Sequence, residues 1–338
     1  MISVIIPTRD RADLLKLALR SLAKQALPPA EVIVIDNGSR DNTREVAEQS
    51  PITVRYFYDE SPGLHRGRNF GAREAKSDIL TYLDDDVECF PTLLSTMARA
   101  FEQNPDIALI GGKCLPRHHV TELPPWFVRM WMPNAEGERT LWYLSLCDFG
   151  EHPRLVCPYC VIGCNFSIRR SVLLEAKGFH PDNVPSGCKR FRGDGETYVS
   201  HFVEANGHKA LYHPDASIYH HVTCNRMNFD YMCRRAYDQG IFDSYTRIRT
   251  AQGLAGHLQA PSDGSLWKRV RKMTLRQIAG AAHRRLVRLA RDEWQTRMEA
   301  AYDKGFAFHQ QAVRDSKSLL EWVLRPNYWD AHIEASEK

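Results

Sequence analysis

Asp78-Ile79-Leu80-Thr81-Tyr82-Leu83-Asp84-Asp85-Asp86 is the stretch from which the fold reads. Ile79 to Leu83 is a short run without charge, as expected of a strand buried inside a parallel sheet. It runs directly into three carboxylates. In an open α/β sheet, ligands bind beyond the carboxyl ends of the strands, so the triplet stands where such a sheet has its crevice. Three adjacent carboxylates repel one another, and a divalent cation removes that cost. Hard oxygen donors suit Mg2+ or Mn2+. A solvated acidic turn is the plain alternative.

Working outward, the same rhythm repeats. Ser3 to Ile6 is an apolar strand stopped by Pro7, and Leu14, Leu15, Ala18, Leu22 and Ala26 share one face of a helix. Glu31 to Ile35 is a strand closing at Asp36, followed by the turn Asn37-Gly38-Ser39 and a helix over 41–49. A third strand spans 53–58, a helix 68–76, a helix 91–103 and a further strand 107–110. Strands alternating with helices predict an open, mostly parallel sheet with right-handed crossovers. Residues 113–190 lose the pattern and read as loops and mixed strands of the same domain. A helix over 197–205 and strands at 210–212 and 217–219 restore it, and from Phe229 the chain reads as mainly helical. These features predict a catalytic domain over 1–240 and a helical, basic region over 241–338.

The chain has 338 residues, with 45 Lys and Arg against 41 Asp and Glu. Hydrophobic residues at 43% and charged residues at 25% exclude a disordered or fibrous chain. No apolar run is long enough for a membrane span, and Pro7, Arg9 and Asp10 interrupt any signal-peptide pattern, so a cytoplasmic setting is expected. The nine cysteines then read as reduced, and Cys157, Cys160 and Cys164 give only a weak zinc signal. Nine basic residues and no acidic one occupy Gly264 to Arg291. There Trp267, Leu275, Ile278, Ala282, Leu286 and Leu289 cluster on one helical face, as in a helix lying on an anionic membrane. A helix packed on the catalytic domain is the alternative.

Several residues join the triplet as candidates. Asp36, at another strand end, faces the same crevice, although Asp also favours helix caps, and Asp41 suits that role better. The loop Gly63-Leu64-His65-Arg66-Gly67-Arg68-Asn69-Phe70-Gly71 combines glycines with basic side chains able to meet phosphate. Neither G-x-x-x-x-G-K-[ST] nor G-x-G-x-x-G occurs, which removes the usual support for P-loop and dinucleotide readings. Asp194-Gly195-Glu196 opens a helix, where an acid serves either as a cap or as a general base. Tyr219-His220-His221 ends a strand and offers an imidazole to a metal beside Asp86.

In series, Ser3 to Pro7, Val34 to Ser39, Arg68-Asn69-Phe70-Gly71, Leu83 to Val87, Gly163 to Arg170, Gly178-Phe179, Glu196, Gly207, Tyr212, Pro214 and His220 resemble the family-2 glycosyltransferases of GT-A fold, over about residues 2–240. The resemblance implies a Rossmann-like GT-A sheet with flanking helices. It also implies sugar transfer with inversion from a nucleoside-diphosphate sugar, UDP first, to a saccharide or lipid-linked acceptor in cell-surface polysaccharide or glycolipid assembly. By the same resemblance Pro7, Asp36, Arg68, Asp84, Asp85 and Asn165 line the donor site. Asp86 and His220 bind a divalent metal (Mn2+ or Mg2+), with His221 the lesser candidate. Where the family writes Gly-Glu-Asp, this chain has Asp194-Gly195-Glu196, so Glu196 falls in the place of the base and Asp194 competes for it. Nucleotidyl transfer, or a nucleic-acid-binding protein using 264–291, are the alternatives; no nucleic acid is expected under the main reading.

Overall fold

The computed structural model describes residues 1–61, 63–117, 125–254, 283–331 and 333. The chain divides into two compact units, one formed by 1–117, 151–221 and 325–338, the other by 118–150 and 222–324. The boundary expected at residue 240 falls within one continuous helix, Phe229–Ala251.

The first unit starts with the expected alternation: β1 Ile2–Thr8, α1 Ala12–Leu22, β2 Glu31–Asp36, α2 Thr43–Glu48, β3 Val54–Tyr58, α3 Leu64–Glu74 and β4 Ile79–Leu83. Then follow β5 Val87–Cys89, α4 Leu93–Gln103, β6 Ile107–Gly111 and β7 Cys114–Pro116. After the residues of the other unit (α5 Pro125–Met130, β8 Arg139–Leu141 and β9 Leu146–Asp148), the first unit resumes with β10 Arg154–Val156, β11 Asn165–Arg169 and α6 Arg170–Glu175. It continues through α7 Gly195–Ala205, β12 Lys209–Tyr212 and β13 Ile218–His220.

Eight strands form one sheet in the order β10-β12-β6-β11-β4-β1-β2-β3. The pairs β1–β2, β1–β4, β2–β3 and β6–β12 are parallel, as the sequence predicts. β11 runs antiparallel between β4 and β6, and β10 is an antiparallel edge. Part of the irregular stretch 113–190 therefore completes the sheet, while 118–150 belongs to the second unit. Ile5, Ile33, Leu80, Tyr82, Phe166 and Phe179 form the center of the core. Separately, β13 pairs with β5 and β7.

α3 begins at Leu64, four residues earlier than the sequence pattern suggests, because Gly63 at φ +125° turns the chain into it. α3 lies so close to β1 that a Cβ on Gly71 would stand 2.4 Å from Ile5 Cγ2. Asp41 caps more than its own turn: Oδ2 accepts from the Ala12 backbone N–H at 3.0 Å and Oδ1 from that of Thr43 at 3.0 Å. The segment after Arg325 returns to this unit. Arg66 Nη1 donates to the Ala331 carbonyl at 2.9 Å, Arg73 pairs with Asp330, and the Tyr328 ring stands edge-on to His180 at 5.1 Å.

In the second unit, α8 Phe229–Ala251 packs along the helix His283–Asp315 with backbone nearly touching backbone. A Cβ on Gly240 would lie 2.1 Å from the Tyr302 carbonyl oxygen, and one on Gly305 1.9 Å from that of Tyr237. Ser244 and His309 bond across the pair at 2.8 Å. Of the basic amphipathic stretch expected over 264–291, residues 264–282 lie outside the described residues, and 283–291 begin the helix His283–Asp315. Among the described residues no helix is long and apolar enough to cross a membrane.

An alanine at an exposed helical glycine gains up to about 1 kcal/mol. At Gly71 the sign should reverse: Gly71→Ala is expected to lower stability by about 1–3 kcal/mol through overpacking against Ile5. Urea unfolding at equilibrium measures the difference.

Candidate active site

The candidate residues described here all lie in the first unit. β4 ends at Leu83, and its neighbours β1 and β11 bring Thr8, Arg11 and Asn165 beside the acidic turn. Asp85 and Asp86 share Arg11, whereas Asp84 turns to Arg68. Asp84, 27% exposed at its side chain, accepts from Arg68 Nη2 at 2.8 Å. Asp85 accepts from the Thr8 hydroxyl at 2.8 Å and from Arg11 Nη1 at 2.9 Å, so it holds the turn from within. Burial pushes its carboxyl above the ordinary range against the pull of Arg11. Asp86 meets Arg11 Nη1 at 3.1 Å through Oδ2, and His220 Nε2 lies 3.3 Å from Oδ1. The β5–β13 register sets this last contact, since His220 pairs with Val87 and the His221 N–H donates to the Asp86 carbonyl at 2.8 Å. His221 itself turns to Glu88, at 2.6 Å.

Arg68 is 1% exposed. Besides Asp84, Nη2 donates to the Gly163 carbonyl at 2.8 Å, and Nη1 stands 3.7 Å from Glu196 Oε2. His65 Nε2 meets the same Glu196 oxygen at 2.8 Å. Arg68 thus joins the end of β4 to the start of α7, and with them Asp84 to Glu196. Glu196 keeps 29% of its side chain exposed. Burial alone would raise its carboxyl, but the His65 hydrogen bond and the charge of Arg68 outweigh it and hold the group far below the ordinary range. Asp194, by contrast, is 3% exposed at its side chain and bound to His180 Nδ1 at 2.6 Å, with His180 stacked on Tyr198 at 3.6 Å.

The order Asp-Gly-Glu now has a physical reason. Gly195 sits at φ +53°, and a Cβ there would lie 3.0 Å from both Asp182 Cβ and His65 Cε1. A glutamate at 195 does not fit this turn.

The remaining candidates are placed as follows. Asp36 is 1% exposed, with Oδ1 accepting from the Ser39 N–H at 2.7 Å and Oδ2 from the Tyr56 hydroxyl at 2.6 Å. Burial and this neighbouring carboxylate push the Tyr56 phenol upward. Pro7 is buried in β1 opposite Ile35. Asn165 is buried and donates to the Ala216 carbonyl at 2.9 Å. Arg11 and His65 carried no individual role in the sequence reading. Arg11 follows β1, the strand beside β4, and that adjacency was the available signal.

His65, Asp182 and Glu196 have ligand atoms within 4.8 Å of one another. There two buried guanidiniums already supply positive charge, Arg68 near Glu196 and Arg192 on Asp182 at 2.6 Å. Asp86 and His220 pair a carboxylate with an imidazole, a set suited to Mn2+. His220 Nδ1 is buried without a hydrogen-bond partner among the described residues. The donors that a cation would use there are Asp86 Oδ1 and His220 Nε2, 3.3 Å apart, while Arg11 occupies the other carboxylate oxygen.

Residues 3–174 match the sequence model described as glycosyl transferase family 2. A glucosyl-dolichyl phosphate glucuronosyltransferase of Haloferax volcanii is 26% identical over 247 residues, covering 71% of this chain and 75% of that protein. The GalNAc(5)-diNAcBac-PP-undecaprenol beta-1,3-glucosyltransferase of Campylobacter jejuni is 33% identical over 119 residues, which are 34% of this chain and 38% of that one. Among solved structures, a mannosyltransferase from Pyrobaculum calidifontis in complex with GDP-Man and Mn2+ aligns with a TM-score of 0.54 at 18% identity, over 91% of this chain and 86% of that one. The architecture is of the GT-A type.

Arg68→Met leaves the Gly163 carbonyl and Asp84 without their Arg68 donor and takes the guanidinium charge away from Glu196. Wholly buried pairs lose about 3–5 kcal/mol when broken. Asp84 and Glu196 remain partly in water, so a loss of about 2–3 kcal/mol is expected. Thermal denaturation checks this, with Arg68→Lys expected to recover only part.

Proposed function

Because the chain belongs to glycosyl transferase family 2, we propose that it moves a sugar, with inversion, from a nucleoside-diphosphate sugar to a hydroxyl of a lipid-linked saccharide. Glu196 is the base in this reading, and Asp86 with His220 hold a divalent cation. The observation that carries it is the arginine bridge: Arg68 contacts Asp84 at the donor end of β4 and Glu196 at the start of α7. The proposed donor carboxylate and the proposed base, 29% exposed at its side chain, are thus joined through one guanidinium.

Asp84 is assigned to the ribose and Asp36 to the nucleoside end. Each Asp36 oxygen keeps a lone pair for a bond from the base beside those from Ser39 and Tyr56. Asp85 serves by fixing the turn, and Pro7 and Asn165 shape its walls. When bound, the cation would neutralise charge developing on the departing diphosphate. His65 and Arg68 keep Glu196 ionised, so it accepts hydrogen bonds from an acceptor hydroxyl at neutral pH. So stabilised a carboxylate is a weak base. It takes the proton late, once bond formation to the anomeric carbon has made the hydroxyl acidic. Asp194, enclosed with His180, positions the start of α7 instead.

The lipid-linked acceptor draws support from relatives whose names carry dolichyl phosphate and PP-undecaprenol. UDP is the first candidate carrier, and the GDP-Man in the mannosyltransferase complex makes GDP the second. Attachment at the inner face of the membrane through the basic segment 264–291 belongs to the same proposal.

Glu196→Gln should lower kcat by roughly 10²–10⁴-fold while leaving nucleotide affinity within a few-fold. Full turnover in a folded Glu196→Gln protein, with release of UDP or GDP as the readout, removes the assignment. The pH profile gives a second check. Activity needs the ionised carboxylate, and its depressed titration puts the acid limb of kcat/KM below the ordinary glutamate range. Replacing His65 by Leu removes the hydrogen bond that it makes to Glu196, so the limb should move to higher pH. An unmoved limb means that another group titrates.

A further inference from the structure

Asp85 and Asp86 are 6% and 3% exposed at their side chains, yet adjacent in the chain. Two carboxylates so enclosed are tolerated only beside positive charge. Arg11 supplies positive charge there: its Nη1 lies 2.9 Å from Asp85 Oδ1 and 3.1 Å from Asp86 Oδ2. Of Arg11, Arg68 and Arg192, Arg11 is the most exposed. It is 38% exposed at its side chain, against 1% for Arg68 and 7% for Arg192.

We propose that Arg11 is the resident counter-cation of the acidic turn, and that it yields Asp86 to the divalent cation only as the donor diphosphate arrives to receive its guanidinium. The proposal rests on the glycosyltransferase reading above. Arg11 on Oδ2 and His220 on Oδ1 bracket Asp86 from both sides, so a dication on Asp86 stands against the guanidinium. Like charges at that range exclude one another until an anion separates them. A diphosphate is such an anion, and the planar fork of a guanidinium matches its oxygens. Arg11 thereby makes cation binding conditional on the nucleotide, and keeps the buried carboxylates neutralised in its absence.

Mn2+ binding by the full chain, followed through the electron paramagnetic resonance of the free ion with and without UDP or GDP, tests this. In the wild type one nucleotide should tighten Mn2+ by roughly 10–100-fold, and Mn2+ should tighten that nucleotide by the same factor. Arg11→Gln should bind Mn2+ alone about tenfold more tightly and lose most of the coupling. Arg11→Lys keeps the charge with a single-point contact and should fall between them. Circular dichroism establishes that each variant is folded. The wild-type comparison stands even if a variant is not.

Equal Mn2+ affinity of the wild type with and without nucleotide overturns the proposal. Nucleotide-dependent binding that Arg11→Gln leaves unchanged removes the role of Arg11 but keeps the donor site. No binding of either nucleotide with Mn2+ overturns both.

Discussion

A buried arginine organises this molecule. Arg68 is almost without solvent, and a cation in that position is stable only while its donors are engaged. Its partners come from three distant places in the chain: the end of β4 through Asp84, the Gly163 segment through a carbonyl, and α7 through Glu196. A shift of any of them disturbs a hydrogen bond or ion pair of the guanidinium. Even Gly163 is constrained, since a Cβ there would stand 2.8 Å from Arg68 Nη1 and 2.6 Å from Glu196 Oε1. The same contact that closes the fold also sets the distance between the two acids assigned to donor and acceptor.

The parallel half of the sheet was legible because each strand is an apolar run with a turn at its end, and the strand ends announced Asp36 and Asp84 to Asp86. β10 and β11 were not legible. An antiparallel strand slipped between β4 and β6 depends on where the chain returns, which no local period encodes. Side-chain reach was equally hidden. The motif reading put Arg68 near the donor, but its burial follows from Glu196, far along the chain. His65 was seen as one basic residue of a loop, yet its ring meets an acid on α7. The departure at 194–196 was visible as a letter change, and its cause, a positive φ pressed against Asp182 and His65, needed coordinates.

Charge balance across the site separates fixed from exchangeable parts. Four carboxylates (Asp84, Asp85, Asp86 and Glu196) meet two guanidiniums, Arg11 and Arg68. Arg68 is locked among donors and acceptors that need it for the fold. Arg11 leans in from a helix start that Asp41 holds by its backbone. The inner cation gives the site its shape, while the outer one lies where charge can be traded with a ligand.

The return of residues 325–331 to the first unit has a consequence for how the protein is made. Arg66, Arg73 and the His180 ring each gain a partner there, in Ala331, Asp330 and Tyr328. On the ribosome, therefore, a chain that has already emerged through β13 still lacks the piece that seals the segment around His65 and His180. The sheet can assemble early during translation, but the region bearing the proposed base is completed only once residues 325–331 have emerged.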